Sequence, residues 1–177
     1  MTCIVGVAQD GKAYIGADSA SSDGYVVQAT MVPKVFRTGQ FAIGYTSSFR
    51  MGQILQYYLD VQPQDGEACD LEYMVRRFVP AVRQCLKENG FAKVENNVES
   101  GGTFLVGYRG AVYVIDSDFQ VNTYRDGFAA CGCGEHYALG VLKALEDLLP
   151  DERVMRALEV SAHFSPSVLG PFSVIEV

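Results

Sequence analysis

The chain has 177 residues, of which 49% are hydrophobic and 20% charged, and its formal net charge is −7. This length and balance are typical of one globular domain (1–177) with a substantial core. The negative charge argues against nucleic acid or an anionic membrane as a partner. No apolar run approaches the roughly 20 residues that a membrane span requires. Because Met1 to Val5 lacks the features of a secretory signal, we expect a cytoplasmic protein.

The cysteines indicate a reducing compartment. There are five of them, an odd number, and none stands in a CxxC pair. Cys131 and Cys133 form a CxC pair without a further cysteine or histidine at the spacing of a zinc site. We interpret this pair as part of a tight glycine turn, and we expect neither a metal nor a cofactor.

The first predicted elements are two strands joined by a tight turn. Residues 2–8 and 12–17 are short and apolar, and Asp10-Gly11 between them favours a two-residue hairpin turn with positive φ. Such a turn places Cys3 opposite Asp18 and Thr2 opposite Ser19. Asp18 is therefore expected diagonally beside the first residues of the chain.

A second hairpin is predicted from residues 32–37 and 40–45, with Thr38-Gly39 as its turn. This register places Lys34 opposite Ile43 and Pro33 opposite Gly44. Lys34 and Gly44 are then close together at the open end of the hairpin. A lysine in an apolar strand is as compatible with a solvated edge charge as with a functional group, so the local pattern leaves both interpretations open.

Two helical regions follow. Ser47-Ser48 provides an N-cap for a helix to about residue 59, whose apolar face is expected to carry Met51, Ile54, Leu55 and Tyr58. After a loop at 63–67, a second helix runs from Asp70 to Asn89-Gly90, and Pro80 predicts a kink. Its apolar positions are Leu71, Met74, Val75, Phe78, Val82 and Leu86. Residues 91–100 are polar and predicted to be irregular.

The second half repeats the order of strands and then helices. Residues 103–109, 111–116 and 120–124 are predicted strands, and residues 127–134 form a glycine-rich stretch. Helices are expected at about 135–149 and 151–163, followed by a closing strand at 172–177. Since strands adjacent in sequence favour antiparallel pairing, we predict an α+β fold, a four-layer αββα sandwich of two mainly antiparallel sheets.

Thr2 points to a specific chemistry. If Met1 is removed, Thr2 acquires a free α-amine, and a threonine with its own amine carries a general base for its hydroxyl group. Asp18 and Lys34 follow Thr2 at successive intervals of 16 residues. The two hairpins bring these residues towards one place, where an anion and a cation can orient and tune the nucleophile.

Thr2, Asp18, Lys34 and Gly44, together with the segments around them and around Gly132, resemble the proteasome β-type, HslV-like family of N-terminal nucleophile (Ntn) hydrolases. No single motif is specific, but the joint spacing of Thr2, Asp18, Lys34 and Gly44 is, and the order of elements agrees along essentially the whole chain. The matching segments are Thr2-Cys-Ile-Val-Gly, Gly16-Ala-Asp18-Ser, Pro33-Lys34-Val-Phe, Ala42-Ile-Gly44-Tyr and Gly132-Cys-Gly134-x-x-Tyr-Ala.

The resemblance implies a role for each matching position. Thr2 corresponds to the nucleophile, Asp18 and Lys34 to the carboxylate and lysine around it, and Gly44 to the glycine whose N–H helps to form the oxyanion hole. Cys133 stands where the family usually has a serine near the terminal amine. By the same analogy, the substrate-binding residues are Ser21, Val32 and Thr46.

The chain departs from the family pattern in three places. Cys133 replaces a serine, and sulfur is a poorer hydrogen-bonding atom than oxygen. His163 lies near the position where the family commonly has a supporting aspartate, and His163 or Ser165 could substitute for it as a hydrogen-bonding group. The family usually begins with two threonines, whereas here Thr2 is followed by Cys3. Removal of Met1 is expected to be the whole maturation step.

The resemblance also implies an assembly and a substrate. The expected function is a threonine peptidase that cleaves polypeptides inside a self-compartmentalising, homo-oligomeric ring, with an ATPase unfoldase as a possible partner. Two alternatives remain open. One is a non-catalytic ring or scaffold subunit that retains Met1, which an intact mass would reveal. The other is an Ntn hydrolase of small amides, which would be a monomer or small oligomer; in size-exclusion chromatography a ring would elute far above the 19.3 kDa monomer.

Overall fold

The computed structural model describes residues 2–64, 66, 69–91, 93–96 and 98–177. One antiparallel sheet has four strands in the order β12-β1-β2-β13. These strands are β1 (Cys3–Gln9), β2 (Lys12–Ala17), β12 (Phe128–Gly132) and β13 (Ser173–Glu176). The chain therefore places its beginning in the middle of this sheet and its end at one edge.

A second antiparallel sheet has five strands in the order β11-β10-β9-β6-β5. They are β5 (Val35–Thr38), β6 (Phe41–Tyr45), β9 (Phe104–Tyr108), β10 (Ala111–Ile115) and β11 (Val121–Asn122). Two small hairpins lie outside both sheets. They are formed by β3 (Ala20–Ser22) with β4 (Val27–Ala29) and by β7 (Lys93–Glu95) with β8 (Val98–Ser100).

The helices follow the strands in two groups, as the sequence predicts. The first group is α1 (Phe49–Tyr58), α2 (Asp70–Tyr73), a π-helical turn (Met74–Phe78) and α3 (Val79–Glu88). The second group is α4 (Glu135–Ala144) and α5 (Pro150–Phe164). The predicted combination of antiparallel sheets and helices is confirmed, while α4 ends earlier than expected.

The register predicted for the β1–β2 hairpin is correct. Ile4 pairs with Ala17, which continues to Cys3 opposite Asp18, and the Asp18 N–H donates to the Cys3 carbonyl at 3.2 Å. Asp10 and Gly11 have φ values of 52° and 74°. Positive φ at both turn positions is the signature of the type I′ turn that matches the twist of the strands.

The register predicted for the second hairpin is wrong. Val35 pairs with Gly44, so that Lys34 lies opposite Tyr45 rather than opposite Ile43, and the Tyr45 N–H donates to the Lys34 carbonyl at 3.0 Å. Thr38 pairs with Phe41, so the turn consists of Gly39 and Gln40. Gly39, with φ of 54°, occupies the first turn position. The shift by two positions keeps the same side chains on each face of the sheet.

The helical region after Asp70 differs from the prediction in its details. A π-helical turn precedes Pro80, where the sequence predicts a kink, because a wide turn accommodates a residue that has no N–H to donate. Leu71 and Val75 are exposed, and Tyr73 is buried instead. Tyr58 of α1 is also exposed, contrary to the predicted apolar face. In the loop predicted at 63–67, Asp65 and Glu67 lie outside the described residues.

Two segments predicted without strands contain them. Residues 91–100, predicted to be irregular, include the exposed β7–β8 hairpin; Ala92 and Asn97 lie outside the described residues. The glycine-rich stretch at 127–134 includes β12, which pairs with β1 from Cys3 opposite Gly132 to Val7 opposite Phe128. The run Phe128-Ala-Ala-Cys131 is apolar and short, which is compatible with a buried strand.

Three apolar clusters form the core. One contains residues of α1, α3, β6 and β9, a second contains residues of both sheets, and a third contains residues of β1, α4 and α5. Side chains alternate between clusters along a strand, so that Ile4 belongs to the second cluster and Cys3 and Val5 belong to the third. Among the described residues, no helix is long and apolar enough to cross a membrane.

Gly44 lies where the two sheets pack closely together, and it yields the first prediction. A Cβ atom at this position would lie 2.5 Å from Ile4 Cγ2 and 2.9 Å from Ile15 Cγ2, and both isoleucines are fully buried. We expect Gly44→Ala to lower the free energy of unfolding in urea by about 1–3 kcal/mol, because the core is overpacked.

Gly140→Ala is the matched control. Gly140 lies inside α4, and a Cβ atom there would meet nothing within 4 Å. This variant should be more stable by about 0.5–1 kcal/mol, because alanine has the higher helix propensity. Equal stabilities of the two variants would contradict the close approach at Gly44.

Candidate active site

The Asp18 carboxylate is the most heavily bonded group of the candidate site. It directly follows β2, and its side chain is fully buried. Oδ1 accepts from the Lys34 ammonium at 2.9 Å and from the Cys3 N–H at 3.0 Å, and Oδ2 accepts from the Ala20 N–H at 2.8 Å. The Leu169 N–H lies 3.4 Å from Oδ2. These donors hold the carboxylate at one position and in one orientation.

Lys34 is a buried cation that faces this carboxylate. It directly precedes β5, and only 1% of its side chain is exposed. Burial lowers the pKa of the Lys34 ammonium below its ordinary value of 10.5, and the neighbouring Asp18 carboxylate opposes this shift. The Lys34 Nζ also lies 5.8 Å from the centroid of the Phe49 ring, within the range of a cation–π contact. Lys34 is therefore not a solvated edge charge.

Thr2 is held in place by the end of β12. Its backbone nitrogen donates to the Cys133 Sγ at 3.2 Å, and the Cys133 thiol donates to the Thr2 carbonyl at 3.3 Å. Gly132, with φ of 96°, permits this approach, because a Cβ atom there would lie 2.2 Å from the Thr2 carbonyl oxygen. The Thr2 nitrogen is an amide in the full chain and an α-amine once Met1, which lies outside the described residues, is removed.

Thr2 and Lys34 line one cavity of about 110 Å³. Of the predicted substrate-binding residues, Thr46 lines this cavity, whereas Ser21 and Val32 do not. The sequence did not single out most of the remaining lining residues, which are Ser22, Tyr45, Ser47, Ser48 and Phe49. The run Thr46-Ser47-Ser48 directly after an apolar strand is the signal that would have identified Ser47 and Ser48.

The structure separates Gly44 from this cavity. Gly44 lies inside β6, between Val35 of β5 and Leu105 of β9. Because N–H groups alternate along a strand and the Tyr45 N–H points to β5, the Gly44 N–H points to β9. The expected position of the oxyanion donor is therefore not supported by the pairing of the strands.

Ser47 has the backbone geometry that Gly44 lacks. It follows the end of β6, has φ of 71°, and lines the cavity beside Thr2. Within the described part of the chain, the Ser47 N–H donates no backbone hydrogen bond, whereas the N–H groups of Thr46 and Ser48 both do. A non-glycine residue with positive φ is uncommon and is found preferentially at functional sites.

The residues considered as substitutes for a supporting aspartate lie around the end of α5. His163 is exposed and contacts the Phe164 ring edge-on at 4.8 Å between centroids. Ser165 is buried, and its N–H donates to the Ser161 carbonyl as the helix ends. No hydrogen bond among the described residues joins either side chain to Thr2 or Cys133. His136 is likewise exposed.

Burial disfavours the thiolate form of the cysteines Cys3 and Cys131 near the site. Burial raises the pKa of the Cys3 thiol to about 12 and that of Cys131 well above its ordinary value. All five cysteines are free. The described ranges contain no group of three or more histidine, cysteine or acidic residues that could hold a metal ion. The site therefore offers hydroxyl, ammonium and carboxylate groups, which suit acyl transfer.

Comparison with solved structures shows the fold. BPH of Thiobacillus denitrificans superposes with a TM-score of 0.83 at 20% identity, covering 99% of this chain and 97% of that chain. Eukaryotic HslV from Trypanosoma brucei gives 0.70 at 16% identity and 98% coverage of both chains. A Gly-1 mutant of Anbu from Hyphomicrobium sp. strain MC1 gives 0.68 at 15% identity, covering all of this chain and 82% of that chain.

These superpositions confirm the predicted resemblance at the level of the fold, which is that of HslV, BPH and Anbu. T. denitrificans BPH was also solved in complex with epoxomicin, with a TM-score of 0.82 to this chain. No family model and no curated protein matches the sequence.

The ion pair yields the second prediction. In Asp18→Asn, the buried Lys34 loses its anion, and the amide NH₂ group meets a site built from donors. We expect the free energy of unfolding in urea to fall by about 3–5 kcal/mol. The double variant Asp18→Asn/Lys34→Met should recover part of this loss, because it removes the unpaired charge. A double variant that is less stable than Asp18→Asn would contradict the importance of that charge.

Proposed function

We propose that this chain is a threonine peptidase that cleaves polypeptides through an N-terminal Thr2, exposed when Met1 is removed. The observation that carries this proposal is the buried Asp18–Lys34 ion pair, whose lysine lines the same cavity as Thr2. Burying an ion pair costs desolvation free energy, so a buried pair beside a cavity is not explained by the stability of the fold. A nucleophile that requires a nearby cation accounts for it.

In the proposed mechanism, Thr2 Oγ1 attacks the carbonyl carbon of the scissile peptide bond. The Thr2 α-amine, directly or through a water molecule, takes the hydroxyl proton and passes it to the leaving amine. The product is an ester between the acyl part of the substrate and Thr2. Water then hydrolyses this ester by the same path and restores the hydroxyl group.

Lys34 and Asp18 support the first step. The Lys34 ammonium stabilises negative charge that develops on Oγ1, and its repulsion of a second cation favours the neutral, basic form of the α-amine. Asp18 holds this ammonium 2.9 Å from Oδ1 and keeps it charged despite its burial. Neither group needs to exchange a proton with the substrate.

In the proposed mechanism, Cys133 orients the Thr2 α-amine. Its Sγ accepts from the Thr2 nitrogen at 3.2 Å, and a free amine at the same position retains a hydrogen for this contact. The thiol simultaneously donates to the Thr2 carbonyl and thereby fixes the backbone of the nucleophile. A sulfur acceptor binds the amine less strongly than a serine oxygen would.

We assign the oxyanion donor to the Ser47 N–H rather than to Gly44. This N–H is not used in the described backbone hydrogen bonds, and it belongs to a residue that lines the cavity with Thr2. In other enzymes, loss of one oxyanion donor costs about 2.7–4 kcal/mol of transition-state stabilisation. The strained φ of Ser47 is consistent with a backbone position selected for this purpose.

The broader features of the proposal come from the resemblance. We propose one Ntn hydrolase domain with four αββα layers, supported by apolar clusters on both sides of each sheet. We further propose a cytoplasmic homo-oligomeric ring that admits polypeptides, with an ATPase unfoldase as a possible partner and without a role for nucleic acid or membrane. The proposal requires no metal or cofactor.

The third prediction tests the nucleophile. After incubation with a threonine-directed β-lactone or epoxyketone, intact mass and peptide mapping should show one adduct, on Thr2 of chains that lack Met1. Epoxomicin is a suitable first compound, because BPH of the same fold was solved in complex with it. Thr2→Ala should give no adduct, and Lys34→Met should react at least about a hundredfold more slowly.

Two results would overturn this proposal. One is Met1 on all of the purified protein, because Thr2 would then have no α-amine. The other is equal labelling of Thr2→Ala, because the nucleophile would then be a different residue. Cys69→Ala serves as a control for labelling of an exposed thiol outside the site.

The fourth prediction concerns pH. Activity requires a neutral Thr2 amine, whose ordinary pKa is roughly 7.7–8.0, and a charged Lys34. Activity should therefore rise with pH through the amine pKa and fall again as Lys34 loses its proton. Because the pKa of Lys34 is lowered, this fall should begin below pH 10.5. The measurement is kcat/KM against pH with a fluorogenic peptide.

Lys34→Arg provides the control for this assignment. A guanidinium group keeps its charge to above about pH 12, so the residual activity of the variant should lose the alkaline fall. An alkaline fall at the same pH in both proteins would show that another group is responsible for it.

A further inference from the structure

The cavity beside Thr2 has walls that restrict what can enter it. From these walls, we infer that the enzyme cleaves after residues with a small, uncharged polar side chain, namely serine, threonine or asparagine. This inference rests on the proposed function and specifies its substrate. It follows from the size, the hydrogen-bonding groups and the charges of the cavity.

The size of the cavity favours a small side chain. Its volume is about 110 Å³. An engineered cavity of about 150 Å³ is the size that accommodates a benzene molecule. The enclosed part of this cavity is therefore smaller than the space that a phenyl ring occupies, which favours a short side chain beside Thr2.

Two aromatic residues keep the cavity from expanding. Tyr45 is 2% exposed, and its hydroxyl donates to the Pro33 carbonyl at 3.3 Å. The Phe49 ring meets the Tyr45 ring edge-on, with 6.1 Å between centroids, and lies 5.8 Å from Lys34 Nζ. Since each ring is held by the other and by a buried group, neither can turn aside without loss of packing.

The lining offers hydrogen-bond donors. Ser48 Oγ accepts from the Met51 N–H at the start of α1, and Ser22 Oγ accepts from the Gly24 N–H. Each of these hydroxyl groups still has its own O–H to donate. The Thr46 hydroxyl, in contrast, is engaged with the Thr103 carbonyl at 2.9 Å. A hydroxyl or amide oxygen of a substrate side chain is a suitable acceptor for Ser22 and Ser48.

The charges of the cavity disfavour an ionised side chain. None of the residues that line it is acidic, so that the lining provides no partner for a lysine or arginine side chain. Among the described lining residues, Lys34 has a positively charged side chain, which is already paired with Asp18 at 2.9 Å. A substrate carboxylate would compete with Asp18 for the Lys34 ammonium, and the negative charge of Asp18 would repel it. A neutral side chain avoids both costs.

The fifth prediction is the resulting order of cleavage rates. Fluorogenic peptides that differ only in the residue before the scissile bond, chosen from Ser, Thr, Asn, Ala, Leu, Phe, Arg and Glu, are compared by kcat/KM with the processed protein. The peptides with Ser, Thr or Asn should exceed those with Phe, Arg or Glu at least about tenfold, and those with Ala or Leu severalfold. Fastest cleavage after any of the other five residues overturns the inference.

Phe49→Ala tests the cause of this order. Removal of the ring enlarges the cavity, so the ratio of kcat/KM for Phe to that for Asn should rise at least about tenfold. Tyr58→Ala is the matched control, because Tyr58 lies on the same helix, is 62% exposed and does not line the cavity. It should leave the ratio unchanged, and an equal ratio in the two variants overturns the role of Phe49.

A second variant keeps the test decisive if Phe49→Ala fails to fold. Ser22→Ala removes one hydroxyl donor near the protein surface, so the preference for Asn over Ala should fall severalfold. An unchanged preference in this variant contradicts the inference. Failure of the proposed function is a separate result: an adduct on Thr2 without the predicted order refutes only the preference, whereas the absence of an adduct refutes the peptidase.

Discussion

The site depends on one buried carboxylate. Asp18 receives the Lys34 ammonium, the Cys3 N–H that begins β1, the Ala20 N–H that begins β3, and the Leu169 N–H that precedes β13. Desolvation of a carboxylate and an ammonium is costly, and it is offset here because every donor is charged or belongs to the fixed backbone. The same bonds that stabilise the ion pair therefore determine where the strands around Thr2 begin.

Two glycines, Gly44 and Gly132, allow the strands around the site to pack closely against neighbouring residues. Gly44 lets β6 lie against Ile4, and Gly132 lets β12 lie against the Thr2 carbonyl, so that Cys133 reaches the Thr2 nitrogen. Gly44 is accordingly explained by packing of the sheets, while the backbone after β6 turns at Ser47 into the cavity. Gly44, which resembles the family motif, is thus a different residue from Ser47, whose N–H makes no backbone hydrogen bond within the described part of the chain.

Local patterns in the sequence predicted the local parts of this arrangement. Asp10-Gly11 fixed the register of β1 and β2, because positive φ at two positions admits one kind of tight turn. The second turn was misplaced by one position, since Thr38-Gly39 and Gly39-Gln40 both contain the required glycine and only packing selects between them. The strand β12 was missed, because its partner β1 lies more than a hundred residues away and turn chemistry says nothing about such pairing.

By itself, the sequence determined the order of strands and helices, the first hairpin, and the selection of Thr2 and of the pair Asp18 and Lys34 as candidate site residues. The tertiary structure decided the burial of that pair, the contact between Cys133 and Thr2, and the cavity lined by Ser22, Ser47 and Phe49. The physical reason is the distance along the chain over which each interaction acts. Turn geometry and periodicity act over a few residues, whereas the cavity is formed by four separate segments whose positions follow from the packing of one sheet against the other.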